Sequence, residues 1–230
     1  MTGKEFKVAR KKLGLSQCDV AARLGVSQPY VALMERGKRH FPPELVRKAV
    51  SRLKMSPSAL PLDPRPNQGA EWLTRQLSAL GYPGYAHVRR GRIRNPVELL
   101  LAALGEDNLE ARIVEALPWL LLRYGAMDET CTRWLVEQAR SRNLTNRLGF
   151  TVTLARQVAE QKGEATLNSV YQALVKLEEA LLPNRLAEPD TFCQRHLSQR
   201  QREWMEAARP DAARQWNLLT HWKPEDLQYV

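Results

Sequence analysis

Residues 15–39, LSQCDVAARLGVSQPYVALMERGKR, constrain the fold more than any other stretch. Helix starts and stops alternate there too quickly for anything but short helices. Ser16 with Asp19 three residues later forms a capping box, each side chain satisfying a free backbone N–H of the other. Val20, Ala21 and Leu24 then share one face, and Gly25 ends the helix after about two turns by accepting a left-handed conformation. Ser27 caps the next helix, which turns Val31 and Met34 inward and stops at Gly37. Ala21 is small, so the two helices can cross closely. The second is thereby held proud of the surface.

The flanks continue in the same grammar. Thr2 with Glu5 caps a first helix carrying Phe6, Ala9 and Leu13, which ends at Gly14. Pro43 sits in the first turn of a fourth helix, where its missing N–H costs nothing. That helix buries Leu45, Val46, Ala49, Val50 and Leu53. Ser56 and Pro57 open a last short turn that ends near Leu60.

Residues 61–69, PLDPRPNQG, cannot continue a helix and mark a semi-rigid linker. The expected organisation is a five-helix domain over 1–60, the linker, and a larger helical domain over 70–230, an all-α chain. Trp72, Leu73, Leu77 and Leu80 predict a helix near 70–80. Further helices are expected near 96–104, 108–123, 129–142, 145–161, 165–182 and 189–208. The clearest carries Val170, Leu174, Leu177 and Leu181 in helical phase. The stretch ALPWLLL is apolar nearly all round, so its helix is expected to be central and to be kinked or divided at Pro118. No period-two alternation argues a sheet.

Charge is divided unevenly. Residues 1–54 hold 13 Lys and Arg against 4 Asp and Glu, residues 55–94 hold 6 against 2, and residues 95–230 hold 16 against 19. The positive excess therefore lies wholly in the first 94 residues, as in a polyanion-binding end attached to a near-neutral body. The three cysteines, Cys18, Cys131 and Cys193, are scattered, and the four histidines have no ligand spacing, so neither a disulfide framework nor a metal site is expected. The longest apolar run, Ala116–Leu122, falls short of the roughly 18 residues that a bilayer span needs. Lysines and Arg10 break up the N-terminus, so a cytoplasmic location is expected.

The segment from Ser16-Gln17 through Ala21-x-x-Leu24-Gly25-Val26-Ser27, Gln28 and Val31 to Glu35-Arg36-Gly37 resembles the lambda-repressor-like (Cro-type, XRE-type) helix-turn-helix family. The resemblance covers about residues 4–60 and implies nothing beyond residue 62. It implies double-stranded DNA as partner, with the helix after Ser27 entering a major groove about 12 Å wide. Carried over position by position, Gln17 would contact a phosphate or brace the base reader. Gln28 would read a base edge, and Ser27 would cap the helix and reach a phosphate. Pro29 and Tyr30 would face the groove or its rim, Pro29 through apolar contact alone; Tyr30 could instead pack on Phe41. Lys38 and Arg39 would touch phosphates. Ala32 and Leu33 stand where many relatives carry a polar or basic residue, which leaves direct readout thin. A second basic cluster, Arg89, Arg90, Arg92 and Arg94, reads either as a solvated loop or as an arm on phosphates or in a minor groove.

Phosphate-binding loops, HExxH, G-x-S-x-G and GxGxxG signatures are missing, so neither an enzyme nor a cofactor is expected. Two readings lead for the helical half, with ligand sensing a third for which no binding constellation argues. It could dimerise a repressor whose two helices read half-sites one turn apart. Alternatively it could bind a toxic partner, making the protein an antitoxin that represses its own operon. The tail residues Trp216, Leu218, Leu219, Trp222 and Tyr229 could anchor such a partner or pack on the protein's own core.

Overall fold

A computed structural model describes residues 2–63, 69–194 and 196–230. The chain divides into two compact units, Met1–Pro64 and Arg65–Val230. Residues 64–68, the heart of the expected linker, lie outside the described residues. The chain is 66% helical and its described strands are two residues long, so the fold is all-α.

Unit 1 is built of α1 (Gly3–Lys12), α2 (Gln17–Leu24), α3 (Gln28–Glu35), α4 (Pro43–Leu53) and a 3-10 turn, Pro57–Ala59. The fifth expected helix is that single turn. Its starts are the ones the sequence announces. Thr2 and Ser16 both form reciprocal capping boxes, and Ser27 caps α3. Gly25 sits at φ 72°, where a Cβ would be strained, and its N–H and that of Val26 both return to the Ala21 carbonyl. These two bonds close the turn between α2 and α3. Phe6, Val20, Leu24, Val31, Met34, Leu45, Val46, Ala49 and Leu53 form one core, with Phe41 tilted against Phe6.

Unit 2 runs through α5 (Gly69–Leu80), α6 (Pro96–Leu104), α7 (Ala111–Tyr124), α8 (Glu129–Ser141), α9 (Thr145–Lys162) and α10 (Asn168–Leu181). It ends in β1 (Asp190–Thr191), α11 (Gln199–Ala208), α12 (Asp211–Gln215) and β2 (Leu218–Leu219), in that order. The strands pair in parallel, Asp190 against Leu218 and Thr191 against Leu219. The helix expected over 189–208 therefore starts ten residues later, at Gln199. Asp190–Thr191 instead forms β1, and Arg147 of α9 takes the Asp190 carboxylate in two bonds of 2.7 and 3.0 Å.

The centre of unit 2 is α9. It packs against α6, α7, α8, α10, α12 and both strands. Most of its buried polar side chains are bonded, Asn146 to the backbone of Leu186, Arg147 to the carbonyls of Leu104 and Glu106, and Thr153 to Glu178, whereas Thr145 Oγ1 is buried without a partner among the described residues. ALPWLLL is buried as expected, but α7 runs through Pro118 as one helix and is not divided there. Ile113, Val114, Leu117, Leu120 and Leu121 are all at most 2% exposed, and that packing outweighs the roughly 3 kcal/mol cost of an interior proline.

Most of the tail side chains are used by the protein's own core, whereas Trp222 is half-buried and stacks on the exposed His221. Trp216 is fully buried, Leu218 and Leu219 are buried, and Tyr229 meets Tyr82 edge-on at 5.4 Å. Glu115 accepts the N–H groups of Gln228 and Tyr229 and so fixes the last residues. Burial pushes the Cys131 thiol up to about 11 and that of Cys193 up to about 12, whereas Cys18 is exposed. A thiol reagent should therefore modify one cysteine in the native protein and three in urea. Rapid native reaction at two sites would contradict this burial.

Candidate nucleic-acid interface

The helix expected to enter the groove is α3, and its N-terminal end is organised by side chains that are far apart in sequence. Glu35 ends α3 on its inward face, one turn beyond Val31. Arg10 lies on the inward face of α1, one turn beyond Phe6. The two meet in a bidentate pair, Nε to Oε1 at 2.6 Å and Nη2 to Oε2 at 3.1 Å, while Arg10 Nη1 donates to the Leu15 carbonyl at 2.7 Å. The Glu35 side chain is 2% exposed. A carboxylate at a helix C-terminus is opposed by the helix dipole and by desolvation. Burial works to raise the Glu35 pKa, but bonds from Arg10 and Gln17 and the charge of Arg10 and Lys7 outweigh it, and the carboxyl is held below its ordinary value.

From this carboxylate a polar chain runs outward. Gln17 Nε2 donates to Glu35 Oε2 at 2.8 Å, and Gln28 Nε2 donates to Gln17 Oε1 at 2.7 Å. A carboxylate can only accept, so Gln17 must present its amide nitrogen inward and its oxygen outward. Gln28 must then turn its own nitrogen toward Gln17. One Gln28 N–H is used in that bond. Its second N–H and its carbonyl oxygen are left as an adjacent donor and acceptor, the pair that matches N7 and N6 of adenine.

The other expected residues fall around this amide. Ser27 is the N-cap, its Oγ accepting from the Tyr30 N–H at 3.4 Å. Pro29 is exposed in the first turn of α3, where it loses no helix bond. Tyr30 is half-buried and packs on the unit 1 core, which restricts what it can offer a groove. Lys38 and Arg39 are exposed just past α3, with no ion pair among the described residues. Gln17, Gln28 and Ser27 are thus brought together at one end of α3, and Lys38 and Arg39 lie at the other. Sequence reasoning missed Arg10 and Glu35 as members of the site. Their helical phase with Phe6 and Val31 was the available signal.

Residues 6–60 match the family described as helix-turn-helix, so this segment is a helix-turn-helix domain of the lambda-repressor-like, XRE type. The match covers this segment alone and supports a DNA-binding regulator of that type. No curated protein and no solved structure matches the chain. Among the described residues no helix is long and apolar enough to cross a membrane.

Proposed function

We propose that the protein is a sequence-specific repressor that binds double-stranded DNA as a homodimer, with Gln17, Ser27, Gln28, Pro29, Tyr30, Lys38 and Arg39 as the contact set of each copy. The observation that carries this reading is the Glu35–Gln17–Gln28 chain, which fixes the orientation of a base-reading amide before DNA arrives. Pre-orientation lowers the ordering cost at binding. Gln28 reads the base edge, Pro29 adds apolar contact, and Lys38 and Arg39 set the register on phosphates. Ser27 and the free N–H groups of the α3 N-terminus suit a phosphate oxygen. A single small module binds weakly, so unit 2 supplies the second copy through dimerisation. Capture of a toxic partner by the tail is less supported, since Trp216, Leu218, Leu219 and Tyr229 are used inside unit 2.

The test is selection from random duplexes followed by Gln28→Ala. The variant should lose about 1 to 3 kcal/mol on the selected site with little change on random DNA. No enriched sequence, or an equal loss on random DNA, would remove base reading by Gln28.

A further inference from the structure

The basic cluster of unit 2 is a structured loop, and its guanidinium groups divide into two kinds. Arg94 is half-buried and paired with Glu98 at 3.3 Å. Arg89, Arg90 and Arg92 are exposed and carry no ion pair among the described residues. The loop that carries them is pinned along α5. Ser78 Oγ donates to the Val88 carbonyl at 2.8 Å, and the Gly91 N–H donates to the Arg75 carbonyl at 3.1 Å. The loop lies close enough that a Cβ at Gly91 would stand 2.6 Å from Gln76 Nε2 and 3.5 Å from the Arg75 carbonyl oxygen. Beyond the arginines, Asn95 is 1% exposed and caps α6 through the Val97 N–H at 3.0 Å.

We propose that the 89–92 loop is a second phosphodiester-binding surface, through which unit 2 holds the backbone of double-stranded DNA. The proposal rests on the reading of the protein as a DNA-binding regulator. Three unpaired charges on a pinned loop lose little freedom on binding. All three are arginines, whose planar fork matches phosphate oxygens in two bonds at once. The rest of the chain from residue 95 onward carries more acid than base, so the positive field of unit 2 is concentrated near this loop. The contact carries no sequence information: it adds affinity uniformly, which suits a base reader as thin as Gln28 beside Pro29, Ala32 and Leu33.

The experiment is fluorescence anisotropy of the full chain on a labelled random-sequence duplex over a series of salt concentrations. Arg89→Gln/Arg90→Gln/Arg92→Gln should reduce the slope of log affinity against log salt by about 2 to 3, since each lost phosphate contact removes about 0.9. Arg133→Gln/Arg140→Gln/Arg142→Gln, which removes three exposed arginines on and just after α8, should leave the slope unchanged. An unchanged slope in the loop variant, or an equal fall in both variants, overturns the proposal while DNA binding by α3 stands. Failure of the unaltered protein to bind any duplex overturns both readings. Loss of anionic-vesicle cosedimentation in the loop variant, with the DNA slope intact, would assign the loop to a lipid surface and overturn the proposal as well.

Discussion

Arg10→Met should destabilise unit 1 by about 3 to 5 kcal/mol, because it leaves the buried Glu35 carboxylate without its cation. A domain of some sixty residues has only about 3 to 9 kcal/mol in reserve, so the variant should lose most of its folded unit 1 and with it DNA binding. Gln17 alone cannot replace a bidentate guanidinium, and it would also be drawn away from orienting Gln28. Arg10→Met/Glu35→Leu should recover much of the loss, since removing both charges is far cheaper than stranding one. All six tryptophans lie in unit 2, so their fluorescence is blind to this change. Amide hydrogen exchange at Val20 and Leu24 should read it. The pH dependence has opposite signs in the two proteins. In the unaltered chain Glu35 titrates below its ordinary value, so its contribution is full at neutral pH and is lost as pH falls through the folded value. In Arg10→Met the isolated carboxylate titrates above its ordinary value, so acidification toward that range should narrow the deficit. A deficit that stays constant from neutral pH down to the carboxylate range would show that the lost stability does not come from the stranded charge.

Much of unit 1 was legible because its signals are local. Ser16, Asp19 and Ser27 satisfy backbone groups two or three residues away, and Gly25 and Gly37 meet a purely local demand for positive φ. The contact positions Gln17 and Gln28 were legible through the resemblance. Their coupling was not, because Arg10 and Glu35 are 25 residues apart and look like ordinary surface charges until both are seen in phase with core positions. Unit 2 shows the same limit more strongly. The apolar periodicity of α10 announces its buried face, whereas the first half of α9 buries Thr145, Asn146, Arg147, Thr151 and Thr153. No hydrophobic pattern marks that half, since its burial depends on partners such as Leu186, Asp190 and Glu178 that follow much later in the chain. The segment before Gln199 was misread as helix for the same reason: Arg147 holds Asp190 in place from more than forty residues away. The 89–94 arginines were visible as charge, but the pinning by Ser78 and Arg75 that turns a charged run into a presented surface is tertiary.

Gly149→Ala should cost unit 2 about 3 kcal/mol or more, against the usual expectation that alanine in a helix gains about 1 kcal/mol over glycine. An isolated glycine inside a helical pattern raises the question of what approaches it. Here it is Trp216: a Cβ on residue 149 would stand 2.3 Å from two indole carbons and 2.5 Å from a third. Neither side can yield. Residue 149 is in mid-helix in α9, and the indole is fully buried with its N–H donating to Thr153 Oγ1 at 2.7 Å. Thr153 passes the chain on to Glu178 at 2.6 Å, and Glu178 also takes Arg156 and Gln215. Displacing the ring would therefore break a bonded network and shift α12 and β2 on either side of Trp216. Trp216→Leu makes room but abandons the network, and should itself cost about 3 kcal/mol or more through the cavity left behind. The two changes should be strongly non-additive, the double variant being much more stable than the sum of its parts implies, because alanine fills space that leucine vacates. Urea unfolding followed by circular dichroism gives the cycle. A Gly149→Ala protein as stable as its parent would mean that α9 and Trp216 do not meet this closely. Additive losses would mean that they meet but do not share the space.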